Sequence, residues 1–389
     1  MHKEPRHTHE KPVSPTLASV GLRLSDWFER WFPDAFALAL AAVAVVFVAS
    51  LAMGSSFVQT AQWFGAGFWD LVAGGTDRGE RPREVIDHAI APVWEANHVW
   101  LIFSFVVLWT CFPEAYASIG LTLFVPLTLA AFGIVLRGAS FAFRKAVYRT
   151  RDQRNFGAAF AVSSILVPYC LGAVVGAIAS GRVPSGGRAG DPWDSWVNPT
   201  SIMTGILAVC VAAYLAAVFL AIDAHRLSDE AMVAYFRARA TAASVVAGIT
   251  AFLGLFVLRS DATFLFDGMT TRALPLVILS AIGGLGSLWL LRKRSSRGTR
   301  PAAVAAVGSL LLAWAVAQWD YILPETLTVA AAAAPTGTIT AVLVAAGLAV
   351  VVILPAFILL YVLDQKGLLP EEGVDTESRS VEARSDSIR

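Results

Sequence analysis

Charged residues are scarce in this chain of 389 residues, where Asp, Glu, Lys and Arg together account for 15%. Soluble domains contain about 25% charged and about 45–50% apolar residues, whereas 56% of this chain is hydrophobic and its mean hydropathy is +0.63. The 30 basic and 29 acidic residues nearly cancel, which excludes a large basic surface for nucleic acid. The composition therefore predicts a polytopic membrane protein that binds no nucleic acid.

Cysteine is also rare, and Cys111, Cys170 and Cys210 all lie within apolar runs. No C-x-x-C spacing occurs, so the sequence indicates neither a disulfide framework nor a zinc site. It contains no G-x-G-x-x-G motif, P-loop or nucleophile elbow either. We therefore expect no metal site and no redox chemistry carried by this chain alone.

Long apolar runs predict an all-α fold in which the helices are arranged as bundles. A bilayer core of about 30 Å requires roughly 20 apolar residues for each helix. About nine helices (eight to ten) meet this requirement, at 35–53, 92–112, 118–137, 157–180, 201–222, 240–258, 273–291, 301–318 and 339–362. A weaker tenth candidate, at 57–72, follows a Gly-Ser-Ser break at 54–56.

The chain divides into four predicted regions. These are a polar N-terminal tail with an interfacial segment (1–34), the first membrane segment or segments (35–72), a helical membrane domain (73–366) and a disordered acidic tail (367–389). Basic residues in the predicted loops at 138–154 and 292–300 place those loops in the cytoplasm. The side of the N-terminus depends on whether 57–72 crosses the membrane, and the sequence leaves both topologies open.

A short polar stretch opens the predicted helix at 92–112. Glu95, Asn97 and His98 lie within two turns of each other there. A charged group near hydrocarbon costs at least about 2.5–3.5 kcal/mol, so it usually faces a partner or a wet cavity. Glu95 and His98, at i and i+3, would share a helix face and could exchange a proton. The alternative is that Glu95 lies at the interface and only caps the helix after Pro92.

Arg137 immediately precedes Gly138 at the predicted end of the 118–137 helix. A long basic side chain at that position is expected to snorkel toward the interface. His98 by itself is more often a structural histidine than a ligand, and no second histidine lies at ligand spacing on its helix.

From about residue 64 to residue 369, the sequence resembles subunit II of the cytochrome bd-type quinol oxidases. The matching stretches are FGAGFWD (64–70), IAPVWEANHVWLI (90–102), FPEAY (112–116), LRG (136–138), FAFR (141–144) and LPETLT (323–328). The P-x-W-[DE]-x-N-x-V-W-L-I and R-G-x-x-F-x-[FY]-R patterns at this spacing are specific to that family.

This resemblance implies a complex in a prokaryotic plasma membrane that oxidises quinol and reduces dioxygen to water. Heme b and heme d would belong to the partner, the heme-bearing subunit I, and this chain would bind no cofactor through its own ligands. Besides the partner, it would contact membrane lipid. Its contributions would be assembly, proton delivery and, as in some members, oxygen access.

The resemblance also implies roles for individual residues. The proton-path acid of the family falls on Glu95, with Asn97 and His98 in the same motif. This acid is usually Asp, so Glu is a conservative departure with a longer reach. Trp100 falls near the oxygen route. Structural roles fall on Trp94, Arg137 and Arg144.

The first part of the chain departs from that family and, over about 20–70, resembles the start of a short-chain fatty acid transporter. LRLSDWFERWFPD (22–34) and QWFGAGFW (62–69) carry this likeness. The F-G-x-G-F-W stretch is common to both resemblances, so 64–70 is a natural crossover point for a fusion. A carboxylate transporter is therefore the alternative function, although paired broken helices typical of transporters are not evident. A structural membrane subunit with no proton role is a third hypothesis.

Overall fold

The structure is a computed structural model that describes residues 65–69, 81–82, 85–86, 94–146, 150–295, 298–348 and 351. The predictions for 1–34, 35–53 and 367–389 lie outside the described residues, and 57–72 is described only at 65–69. The division into four regions therefore stays a prediction.

The described part of the chain is almost entirely helical, with one small hairpin. Its elements are α1 (Trp94–Cys111), α2 (Pro113–Thr122), α3 (Phe124–Ala146), α4 (Thr150–Ala179), α5 (Pro199–Arg226), α6 (Glu230–Asp261), α7 (Thr263–Thr270), α8 (Leu274–Arg292), α9 (Thr299–Ala317), β1 (Tyr321–Leu323), β2 (Leu327–Thr328), α10 (Val329–Ala332) and α11 (Thr336–Leu348). The antiparallel strands β1 and β2 form the hairpin. The predicted all-α class is thus confirmed.

Five helices in the described residues are long and apolar enough to cross a membrane: α4 from Phe156 onward, α5, α6, α8 and α9. A sixth span results if α1 and α2, which meet at an angle of 118°, cross together as one broken helix. A helix satisfies its own backbone hydrogen bonds, which hydrocarbon requires. The described helices therefore support a multi-pass membrane protein, while the predicted total of about nine is not confirmed.

The prediction of one continuous helix over 118–137 is wrong. Helix α2 instead ends at Thr122, and Leu123 separates α2 from α3. Pro113 lies in the first turn of α2 and Pro126 in the first turn of α3. Proline has no N–H and is tolerated in the first turn of a helix, so these two prolines favour new helix starts. The predicted loop at 138–154 is also wrong in part, because α3 continues to Ala146 and α4 begins at Thr150.

Helix α5 lies at the centre of the largest hydrophobic core. Residues 212–218 are almost completely buried, and Phe160 of α4 and Phe236 of α6 pack against this core from their own helices. The helix starts at a clear signal: Pro199 occupies its first turn, and the Asn198 side chain accepts a hydrogen bond from the Ser201 N–H. The many alanines of α5 allow its neighbours to approach closely.

Ion pairs join the helices at both ends of the bundle. At one end, the Arg182 guanidinium after α4 binds Asp261 of α6 in a bidentate manner, with N–O distances of 2.6 and 3.2 Å. Asp261 also accepts hydrogen bonds from the hydroxyl and the backbone N–H of Thr200 on α5. At the other end, Arg300 of α9 binds Asp223 of α5 at 2.5 Å. At each end of the bundle, these contacts hold together helix ends that are distant in sequence.

Candidate functional site

The polar motif expected to carry protons lies at the start of α1. The helix begins at Trp94, so Glu95, Asn97 and His98 occupy its first two turns, with Glu95 and His98 three positions apart. This confirms the predicted helical setting of the motif. The side chains of residues 94–100, Trp94 and Trp100 among them, and that of Arg144 lie outside the described residues. Pairing between Glu95 and His98 therefore stays a prediction.

Arg137 occupies the interior of α3 and is completely buried, so the prediction that it ends a helix and snorkels is wrong. Its guanidinium donates a hydrogen bond to the Ser164 hydroxyl of α4. It also lies 4.1 Å from the centre of the Phe160 ring, at a distance typical of a cation–π contact. Helix α4 thus supplies both an acceptor and an aromatic face, which removes the need for the charge to reach the interface.

Two glycines of the 64–70 motif pack against this arginine site and against α5. A Cβ on Gly67 would overlap the Ser164 hydroxyl and would lie 2.7 Å from Nη1 of Arg137. A Cβ on Gly65 would overlap the carbonyl oxygen of Ala212. Only glycine permits these approaches, because it has no side chain. The structure therefore brings together two motifs, 64–70 and 136–138, that the sequence shows only as separate stretches.

Trp69 anchors the same motif by a hydrogen bond. Its indole Nε1 donates to the carbonyl oxygen of Ala213 at 2.8 Å, and the side chain is buried. Tryptophan N–H groups usually find an acceptor when they are buried. Sequence reasoning missed Ser164 as a member of this site, although the Ser163-Ser164 pair within an apolar run was an available signal.

Helix α2 carries three side-chain acceptors that hold the loop between α4 and α5. They are spaced by four residues, so they lie along one side of the helix. Each accepts a backbone N–H of the loop: Glu114 from Gly186 at 2.8 Å, Ser118 from Gly187 at 3.1 Å, and Thr122 from Gly190 at 2.9 Å. The loop is therefore fixed along the length of α2.

An apolar groove of about 400 Å³ opens where α1, α2 and α3 meet. Leu101, Phe105, Gly120 and Leu127 are among the residues that line it, and a Cβ on Gly120 would meet no atom within 4 Å. Leu101 directly follows Trp100, the residue expected near an oxygen route. The lining suits a small apolar molecule or a hydrocarbon chain and is unfavourable for an ion.

Among the described residues, no group of three or more His, Cys, Asp or Glu side chains is placed to hold a metal ion. His225 is the one histidine whose side chain is described, and it lies half exposed at the end of α5, 3.9 Å from Glu230. A heme ligand would require a buried histidine, methionine or cysteine facing a cavity. His225, the one histidine side chain that the structure describes, therefore does not fit an axial heme ligand.

The model of the family described as "Cytochrome bd terminal oxidase subunit II" matches residues 40–364, well over half of the chain. This chain belongs to that family. It is accordingly a subunit of a bd-type quinol oxidase complex. Because the match begins at residue 40, it includes much of the segment that resembles a fatty acid transporter, and none of the comparisons supports that second resemblance.

Individual relatives agree with the family. The chain is 22% identical over 255 residues to the cytochrome bd ubiquinol oxidase subunit 2 of Bacillus subtilis, covering 65% of this chain and 73% of that protein. It is 26% identical over 104 residues to subunit 2 of the cytochrome bd-I ubiquinol oxidase of Escherichia coli, covering 27% of each. The structure of the bd oxidase from Geobacillus thermodenitrificans contains a chain with the same fold, with a TM-score of 0.69 at 22% identity, covering 84% of this chain and 98% of that one.

Proposed function

We propose that this chain is the heme-free subunit II of a terminal oxidase in a prokaryotic plasma membrane, where a partner subunit I carries heme b and heme d. The complex would oxidise quinol and reduce dioxygen to water. The family match over residues 40–364 carries this proposal. Co-purification with a heme-bearing chain, seen as heme absorption bands, would support it. A carboxylate transporter would purify without such bands.

We assign proton delivery to Glu95. Reduction of dioxygen to water consumes protons inside the membrane, where free water is scarce, so a carboxyl group that can bind and release a proton is needed near the reaction site. Glu95 is the one acid in helix α1, in its first turn, and His98 follows one turn later. Asn97, between them in the motif, cannot titrate and would orient its neighbours by hydrogen bonding.

Quinol-dependent oxygen consumption by the assembled complex tests this assignment. Glu95→Gln keeps the size and polarity but cannot titrate, so we expect a loss of turnover, whereas Glu95→Asp should retain much of it. Heme content must be unchanged in both, which separates a catalytic defect from an assembly defect. Glu114→Gln is the matched control, because its amide oxygen can still accept the Gly186 N–H. A Glu95→Gln complex with full heme and full turnover would leave Glu95 a helix cap.

We also propose that the outer face of α1 and α3 contacts subunit I. The two helices expose large apolar side chains, including Ile102 and Trp109 of α1 and Phe132 of α3, each 62% exposed. Helix α1 also carries the Glu95 motif, and polar groups at membrane depth need a protein partner.

Cysteines at Ile102 and Trp109 should cross-link to the partner chain in the intact complex. A cysteine at Phe252 of α6, also 62% exposed, provides a control on another helix. Strong labelling of positions 102 and 109 by lipid-soluble reagents, with no adduct to another chain, would contradict the proposed interface.

Oxygen access is assigned to the apolar groove at the α1–α2–α3 corner. Dioxygen is apolar and enters proteins through apolar passages. Leu101, which directly follows Trp100 in the sequence, is one of the residues that line the groove. The side chains that line the groove are mostly apolar, so it would not conduct protons along with oxygen.

A further inference from the structure

The C-terminal end of α8 combines an exposed apolar stripe with a cluster of bases. Ile278, Ile282, Leu285 and Trp289 follow one another on one side of the helix and are 50–68% exposed. Lys293, one turn beyond Trp289, places its ammonium group 3.8 Å from the centre of the Trp289 ring. The stripe therefore ends in a tryptophan and a cation, at the position where the span ends.

Three consecutive bases, Arg292, Lys293 and Arg294, are exposed at this helix end. The sequence contains no Asp or Glu between Asp267 and Asp320, so neither α8 nor α9 offers these bases an acidic neighbour along the chain. Asp223 of α5 binds Arg300, which lies at the start of α9 and is not one of these three bases. Among the described residues, none of these three bases forms an ion pair, and the cluster lies beside the exposed apolar stripe.

The backbone at Arg294 forms a defined helix end. Its φ is +58°, in the left-handed region that favours glycine. The N–H of Arg294 bonds the Leu291 carbonyl at 3.2 Å, and the N–H of Ser295 bonds the Leu290 carbonyl at 3.1 Å. This is the hydrogen-bond pattern of a helix end that usually carries glycine at the left-handed position. This turn ends α8 directly after Arg292 and keeps the exposed side chains of Lys293 and Arg294 at the end of the span.

We propose that this end of α8 is a binding site for an anionic phospholipid of the cytoplasmic leaflet. The acyl chain would lie along Ile278, Ile282 and Leu285, the glycerol region would contact Trp289, and the phosphate would bind Lys293 and Arg294. Tryptophan prefers the headgroup level of a bilayer, and juxtamembrane bases attract anionic lipids. The positive-inside rule places these bases on the cytoplasmic side. The proposal rests on membrane insertion and not on the oxidase activity.

The test uses the purified oxidase complex with Leu285→Cys, carrying a fluorescent label, in phosphatidylcholine bilayers. Spin-labelled phosphatidylglycerol or spin-labelled phosphatidylcholine is added at equal mole fraction as the quencher. We expect stronger quenching by phosphatidylglycerol and a loss of that preference in high salt. Native cysteines are largely buried, and the complex without Leu285→Cys measures their background labelling.

Two variants test the bases. Lys293→Gln should reduce the preference for the anionic lipid by about fivefold. Arg294→Gly should reduce it similarly while the helix end is kept, because glycine suits the left-handed position. Arg188→Gln and Arg259→Gln remove exposed bases elsewhere and should leave the preference unchanged. Heme content confirms that each complex has assembled.

Equal quenching by both lipids would overturn the proposal, as would a preference that survives Lys293→Gln and Arg294→Gly. Absence of quenching by either lipid, together with cross-linking from position 285 to another chain, would also overturn it, because the stripe would then be a protein interface.

Discussion

Gly67 and Arg137 contact each other inside the helix bundle, although 69 residues separate them along the chain. A Cβ at position 67 would lie 2.7 Å from Nη1 of Arg137. The absence of a side chain at Gly67 is therefore what leaves room for the guanidinium to reach Ser164 and the Phe160 ring. A buried cation is costly unless such partners are present.

We predict that Gly67→Ala destabilises the complex by about 1–3 kcal/mol, because an added methyl group in a packed site forces its neighbours to shift. Thermal unfolding and heme content of the purified complex would measure the effect. Gly157→Ala is the control, since a Cβ there meets no atom within 4 Å. Ser164→Gly combined with Gly67→Ala should cost less than the sum of the two single changes. Strict additivity would contradict a direct clash.

Asp261 should be a major determinant of how α4, α5 and α6 are held together. Asp261→Asn keeps the shape but weakens the contacts with Arg182 and with Thr200, so we expect a loss of about 1–3 kcal/mol in the free energy of unfolding. Thr200→Val removes only one of these hydrogen bonds and should cost less. Asp267→Asn, at an exposed position on α7, is the control. Equal stability of the Asp261→Asn and Asp267→Asn complexes would refute this role.

Filling the groove at the α1–α2–α3 corner should slow oxygen entry. Gly120→Leu places a side chain in open space, so it should raise KM for dioxygen several-fold while the maximal rate and KM for quinol stay unchanged. Oxygen-electrode measurements at limiting oxygen would show this. Gly248→Leu on α6, where a Cβ also meets nothing, is the control. An unchanged KM for dioxygen in Gly120→Leu would mean that oxygen enters elsewhere.

Several features of this protein follow from the sequence by itself. Runs of about 20 apolar residues predict helices, because hydrocarbon leaves no partner for backbone groups other than the helix's own. The predictions at 92–112, 201–222, 273–291 and 301–318 agree with α1, α5, α8 and α9 to within a few residues. The motif around Glu95 and the resemblance of the chain to its family each depend on short stretches of sequence. The sequence alone could therefore reveal them.

Other features were decided only by the tertiary structure. Arg137 is buried because α4 presents Ser164 and Phe160 to it, and nothing within its own stretch of sequence indicates that partner. Helix α2 ends at Thr122, whose hydroxyl accepts the Gly190 N–H of the loop between α4 and α5, and an apolar run alone could not reveal that contact. Periodicity and composition describe what one segment prefers, whereas the burial of a charge depends on which distant segment lies against it.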